Sequence, residues 1–431
     1  MFLHTLYNLS LSTLALFYLP KFFFDRWCRG KHRSGLGARF FGYVPSVEAK
    51  GPVIWLHAVS VGEAKALLTL LPHVRESYPE AFILVSTVTE TGNREVRKHA
   101  READAIRYMP IDFPWAVRRF VRKVRPDLLL LTEGDFWYNL LTEVKKGGGK
   151  IVLVNGKLSD VSFARYLRCR SFSTPLFREI DLFCVRTEEY ADRFSRLGVG
   201  KEKLFTIPNL KYDIPSPHLS CEEKERQKRG LRLEESDVVC TLGSTHPREE
   251  EALLRPIVPL LRKYPGLRVL IAPRHPERFG TVASLLKKSG VPHMTYSSRS
   301  EGVGEGEERP RLILIDEMGV LPMCYALSAI SIVGGSFLRG VGGHDVFEPV
   351  KTGSFVLFGP HMEKQRDIVG HVLTSGAGKQ LSLREISTVL DRCLSCPAEV
   401  VASGRKGRIL ANRLRGSSGS TWRRILSTFP L

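Results

Sequence analysis

The chain has 431 residues, of which 43% are apolar and 25% charged. That balance excludes wholesale disorder and a polytopic membrane protein, and at roughly 150 residues per domain it suggests two or three globular domains. The excess of 64 Lys and Arg over 45 Asp and Glu, a net charge of +19, predicts attraction to something anionic: nucleic acid, a membrane surface or a phosphorylated substrate.

Met1 to Pro20 carries no charged residue and is rich in Leu, Phe and Tyr, while Lys21, Arg26, Arg29, Lys31, Arg33 and Arg39 follow it. About twenty such residues are long enough to cross a bilayer, and the basic flank predicts that the rest of the chain stays cytoplasmic. The interspersed Asn8, Ser10, Ser12 and Thr13 leave open an amphipathic helix lying in the interface, or a helix buried on the body. Residues 1–24 are thus expected to anchor the protein to a membrane.

From Pro52 onward, short β-branched runs alternate with amphipathic stretches, the pattern of a parallel sheet covered by helices on both faces. Residues 53–57, 82–87, 127–132, 151–155 and 182–185 read as strands of a first sheet. After Pro208, Pro215, Pro217 and the charged stretch 222–232, the pattern restarts at 238–242, 268–272, 311–315, 329–333 and 355–357. The expected architecture is α/β, with two doubly wound, Rossmann-like domains, 25–210 and 211–399, facing a cleft that binds the ligand. Residues 297–311 read as a mobile surface loop, and 400–431, basic and without acids, as a helical tail. Eight scattered cysteines exclude a disulfide scaffold, and Cys393-x-x-Cys396 reads as coincidence on a helix.

No G-x-G-x-x-G, Walker A loop, H-E-x-x-H, G-x-S-x-G or D-x-D occurs. Nicotinamide, P-loop, zincin and α/β-hydrolase chemistries lose support, and a sugar transferase built on this chain is expected to work without a metal bridging a diphosphate. His57 to Glu63 runs from a strand through a turn into a helix. Glu63 therefore stands at a strand's carboxyl end, where it could act as a base, but Ser60-x-x-Glu63 is also a capping-box pattern. Glu133 ends another apolar run, and Lys211 lies near the proposed hinge; alone, each reads as a solvated charge. Arg274, after a strand and before a helix, could take a phosphate bidentately. Gly334-Gly335-Ser336 and Gly342 to Pro349 are the strongest local signal, since paired glycines let backbone amides approach an anion and Glu348 could accept ribose hydroxyls.

Together these segments resemble the Kdo transferase family, membrane-associated glycosyltransferases of the GT-B fold that move 3-deoxy-D-manno-octulosonic acid (Kdo) from CMP-Kdo to a lipid A precursor. The resemblance runs through His57 to Glu63, Ser86 to Gly92, Asn209 to Lys211, Gly243 to His246, Pro273 to Arg278 and Gly334 to Pro349. It implies that Glu63 is the general base, that Glu133 and Lys211 assist it, and that Pro273, Arg274, Met318, Gly319, Val320, Asp345, Val346, Phe347 and Glu348 contact CMP. It also implies inversion at the anomeric carbon, addition of one or more Kdo residues, no cofactor or metal, and work at the cytoplasmic face of the inner membrane. The expected partners are CMP-Kdo, a phosphorylated lipid A precursor and an anionic membrane surface. Three departures stand out: EGDFWY at 133–138, Val320, and Asp345. A nucleic-acid binder is the competing class, but no such module is recognisable; a nucleotide-sugar epimerase of the same fold would need no apolar N-terminus.

Overall fold

The structure, a computed structural model, describes residues 2–27, 36–44, 47–216, 219–300 and 308–430. Cys28, Arg29, Lys31, Arg33, Pro217 and residues 301–307 of the expected loop lie outside the described residues, as do the side chains of Asp25 and Arg26. The described cysteines are free thiols.

The chain divides into two compact units, Met1–Ile214 with Gly416–Leu431, and Pro215–Arg415. The basic stretch after residue 400 thus contributes to both, through helix Pro397–Leu414 in the second unit and helix Ser417–Thr428 in the first. Each unit holds one seven-stranded parallel sheet. The first contains β1 (Val53–Ala58), β2 (Phe82–Thr87), β3 (Ala105–Tyr108), β4 (Leu128–Thr132), β5 (Lys150–Gly156), β6 (Leu182–Val185) and β7 (Leu204–Thr206), in the order β3-β2-β1-β4-β5-β6-β7. The second contains β8 (Val238–Thr245), β9 (Leu267–Pro273), β10 (His293–Thr295), β11 (Leu312–Leu314), β12 (Ile330–Val333), β13 (Phe355–Phe358) and β14 (Gly378–Gln380), in the order β10-β11-β9-β8-β12-β13-β14.

Central strands such as Val53–Ala58 and Leu128–Thr132 are buried throughout, because helices cover both faces of the sheet. Side chains still alternate between those faces: Trp55, Leu129 and Leu131 pack with Phe120 and Val124 of helix Pro114–Val124, while Ile54, Leu56, Leu128 and Leu130 pack with Ala64 and Leu67 of helix Val61–Leu68. The four strands that the apolar runs do not reveal, β3, β7, β10 and β14, are the edges of the two sheets. They are three or four residues long and partly exposed, so burial imposes little apolar pattern on them.

Residues Phe2–Trp27 form a helix of 26 residues, and no helix among the described residues is long and apolar enough to cross a membrane. One side of this helix docks on the first unit: the Tyr7 hydroxyl donates to Asp112 (2.8 Å), Asn139 donates to Asn8 (2.8 Å), and Tyr7 stacks on Phe172. Leu9, Leu14, Leu16 and Phe17 are exposed.

Helix Ser417–Thr428 returns to the first unit and is fixed at two points. Asp213 accepts from the amides of Gly416 (2.7 Å) and Ser418 (2.6 Å), and Trp422, 3% exposed, donates to Ser77 at 2.9 Å within the core of that unit. Truncation of Trp422→Ala is expected to destabilise the first unit by about 3–5 kcal/mol, measured by urea unfolding.

Candidate functional site

In the first unit the carboxyl ends of four neighbouring strands, β1, β4, β5 and β6, bring charged residues together. This is the edge of a doubly wound sheet where ligands bind. Three of those residues, Glu133, Lys157 and Arg186, are each the first residue beyond their strand.

The loop after β1 enters helix Val61–Leu68 through a complete capping box: Ser60 Oγ accepts from the Glu63 amide at 3.3 Å, and Glu63 answers with its own side chain. Both return bonds, from Val59 N at 2.7 Å and Ser60 N at 3.2 Å, fall on Glu63 Oε2. Oε1 takes no part in the cap. The cap thus engages one carboxyl oxygen of Glu63 and leaves the other out of the capping bonds.

Glu133 is 3% exposed and has a left-handed backbone, φ +67°. This conformation is uncommon for a side chain with a Cβ and costs on the order of 1 kcal/mol. It turns the chain sharply at the end of β4 and aims the carboxylate at three cations: Arg186 and Lys157 in close ion pairs, and Lys211 Nζ at 3.4 Å. Asn155, also left-handed at φ +56°, secures the neighbouring turn. Its Oδ1 accepts from Leu210 N at 3.0 Å and its carbonyl from Arg186 Nε at 3.2 Å. Lys211 lies on the short turn Leu210–Asp213 and reaches the start of the Glu63 helix, its Nζ 3.7 Å from where a Cβ on Gly62 would stand. The structure thus brings Glu63, Glu133 and Lys211 together. It adds Asp135, Lys157 and Arg186, which sequence reasoning did not assign.

The electrostatics separate the three carboxyls. Burial raises the pKa of Glu133, but Arg186, Lys211 and Lys157 outweigh it and hold that carboxylate down at about 2. For Glu63, burial and then the charge of Glu133 push the pKa above the ordinary carboxylate range, against the Val59 and Ser60 amides and Lys157. Asp135 is pushed up to about 6 by burial, then by Glu63 and Glu133. One acid holds the cations, and the other two hold protons more tightly than free carboxyls do.

In the second unit the first glycine turn departs from expectation. The amides of Gly335 (2.7 Å), Ser336 (3.2 Å) and Phe337 (3.0 Å) donate to Glu249, whose side chain is fully buried. An internal carboxylate therefore fills the turn that the sequence offered to a ligand's anion. The second turn holds Asp345, whose Oδ1 accepts from Phe347 N at 2.8 Å to open helix Phe347–Thr352. Val346 and Phe347 are core side chains at 0% and 2% exposure, so only their backbone could meet a ligand. Asp345 and Glu348 both lie close enough to the buried Tyr325 hydroxyl to raise its pKa, after burial itself. Tyr325 belongs to helix Leu321–Leu327, which starts directly after Met318, Gly319 and Val320. Pro273 ends β9 buried in the sheet, and Arg274, exposed, donates its amide to Thr245 O at 3.0 Å.

The profile of the 3-Deoxy-D-manno-octulosonic-acid transferase (kdotransferase) family matches residues 34–214, most of the first unit. The 3-deoxy-D-manno-octulosonic acid transferase of Chlamydophila psittaci is 33% identical over 97% of this chain and 95% of its own length. That of Haemophilus influenzae is 32% identical over 77% and 76%. Among solved structures, a UDP-GlcNAc 2-epimerase from Neisseria meningitidis has a TM-score of 0.61 over 88% of this chain and 99% of its own, at 12% identity, a likeness of fold alone. The α/β, GT-B-like architecture read from the sequence stands on the two parallel sheets and that likeness. The chain is a glycosyltransferase, and it belongs to the Kdo transferase family of lipopolysaccharide biosynthesis.

The ion cluster makes a prediction of stability against pH. Glu133 has a folded pKa of about 2 against an ordinary 4.5, so its contribution is fully present above about pH 4.5 and lost as pH falls towards 2. Glu133→Gln removes the buried carboxylate that Arg186 pairs with and is expected to cost about 3–5 kcal/mol at pH 7. The gap from wild type should narrow on acidification through that window, measured by urea unfolding at a series of pH values.

Proposed function

We propose that this protein transfers Kdo from CMP-Kdo to a phosphorylated lipid A precursor, with inversion at the anomeric carbon and Glu63 as the general base. The observation that carries this reading is the division of labour at Glu63: Oε2 closes the helix while Oε1 stays out of the cap, and the carboxyl lies close enough to Glu133 to feel its charge. A base works best when its proton affinity lies near the working pH, and burial with a neighbouring carboxylate moves Glu63 in that direction.

The acceptor hydroxyl gives its proton to Glu63 as its oxygen attacks the anomeric carbon from the face opposite the phosphate. No covalent sugar–enzyme intermediate is needed, and the sugar inverts once. Glu133 stays ionised and holds Lys211, Lys157 and Arg186 in place, so these cations can meet the anionic groups of sugar and acceptor. The second unit supplies the donor's grip through Arg274, the turn from Gly342 to Asp345 and Glu348. Fixed cations and amides suffice for a departing nucleoside monophosphate, so the reading takes no metal and no cofactor.

The membrane reading is supported by charge and by one helix. The net charge of +19 suits phosphorylated lipid and an anionic leaflet. The outward Leu9, Leu14, Leu16 and Phe17 of helix Phe2–Trp27 suit a helix lying in the interface at the cytoplasmic side of the inner membrane.

Glu63→Gln tests the chemistry cleanly, because glutamine can still accept both cap hydrogen bonds but is not a base. With CMP-Kdo generated in the assay and a bisphosphorylated lipid A precursor as acceptor, wild type should form lipid-linked Kdo. Glu63→Gln should lose at least about 100-fold in kcat with its melting temperature kept. Full activity in that variant would remove Glu63 from the base role.

A further inference from the structure

With the first glycine turn filled by Glu249, the neighbouring features of the second unit carry the question of how an arriving phosphate is met. His246, just past β8, and His344, in the turn after Gly343, face each other with Nε2 atoms 2.8 Å apart. Their planes differ by 9° and their centroids are 5.1 Å apart. That separation exceeds the nitrogen–nitrogen distance by about one ring radius on each side, so the rings meet edge to edge along an N–H···N bond rather than face to face. Gly335 permits this approach, since a Cβ on it would stand 2.8 Å from His344 Cδ2.

Two nitrogens at this distance need one hydrogen between them. In the neutral pair the second hydrogen sits on the outward Nδ1 of the accepting ring, and the other Nδ1 is bare. One added proton makes both outward nitrogens donors. Around the pair stand His275, whose ring meets His246 edge-on at 5.4 Å, and Arg274 and Lys364, which face both rings, while two acids lie on the His246 side: Glu250, and Glu249, which accepts from the His246 amide at 3.2 Å. Lys364 is held over the turn by its amide, which donates to Gly342 O at 3.0 Å. Burial first, and then the neighbouring basic groups, lower both histidines, His344 to about 4, against Glu250 at His246, so the pair is neutral at pH 7 before a phosphate arrives.

We propose that His246 and His344 act as one proton acceptor for a phosphate seated beside Arg274 and Lys364, neutral while that phosphate carries one negative charge and cationic once it carries two. The inference rests on the donor reading above. In CMP-Kdo the phosphate is a diester with one negative charge. When the bond from the anomeric carbon to the phosphate oxygen breaks, the electron pair stays on that oxygen and the phosphate becomes a dianion. One proton from solvent then enters the histidine pair, which meets the dianion with an added N–H donor. An anion that offsets Arg274 and Lys364 also removes part of what held the pair neutral, so product formation and proton uptake favour each other.

The test is calorimetric titration of CMP into the full chain at pH 7 in buffers of different ionisation enthalpy, which counts protons exchanged on binding. His246→Asn and His344→Asn should each take up fewer protons than wild type, by a number approaching one. Cytidine, which lacks the phosphate, should give no such difference. A second measurement needs no variant: in wild type labelled with 15N-histidine, CMP should move two ring signals to imidazolium positions. CMP binding with an equal proton count in all three proteins, or with unchanged histidine signals, would overturn the proposal. Absence of CMP binding by wild type would instead bring down the donor reading, and this inference with it.

Discussion

The buried carboxylate of Glu133, turned by a left-handed backbone into the midst of Arg186, Lys157 and Lys211, is the constraint on which the first unit's site depends. A carboxylate 3% exposed is tolerable only because the three cations compensate it. Those cations in turn come from the ends of β5 and β6 and from the turn Leu210–Asp213, so one residue ties three separate pieces of chain to the end of β4. The turn carrying Lys211 is also gripped by helix Ser417–Thr428 through Asp213. The position of one lysine therefore depends on the C-terminal helix as well as on Glu133.

The same interaction sets the chemistry of its neighbours. Burial is the larger cause of the raised proton affinity of Glu63 and Asp135; the charge of Glu133 adds to it at Glu63, and those of Glu63 and then Glu133 add to it at Asp135, with Lys157 opposing at both. The second unit uses a related economy. Its first glycine turn spends its amides on Glu249, which fixes the loop that positions His344 against His246.

How much of this was legible in the sequence follows from where burial writes a pattern. Central strands such as Val53–Ala58 are apolar on both faces and stand out, whereas edge strands such as Leu204–Thr206 do not. Glu63, Glu133 and Lys211 could be named through family resemblance, and the structure draws them together. Lys157 and Arg186 were missed, although each is the first residue after a buried strand, a signal usable once the strand order is known. Glu249 and Glu250 open a run of three acids that reads as a solvated helix start, yet they are 0% and 1% exposed. Their partners lie far along the chain, at the Gly335 turn and at Arg278, and no local pattern announces such a pairing.

The central claim is that Glu133 acts through the cations it holds, Lys211 above all, rather than by touching the proton in flight. The most direct measurement is a double-mutant cycle on kcat for Kdo transfer, using Glu133→Gln, Lys211→Met and the two combined. If Glu133 works by placing Lys211, the double variant should be scarcely slower than the worse single variant, a coupling of at least about 1 kcal/mol. Losses that multiply would mean that the two residues act independently, and the account of Glu133 as the organiser of this site would be wrong.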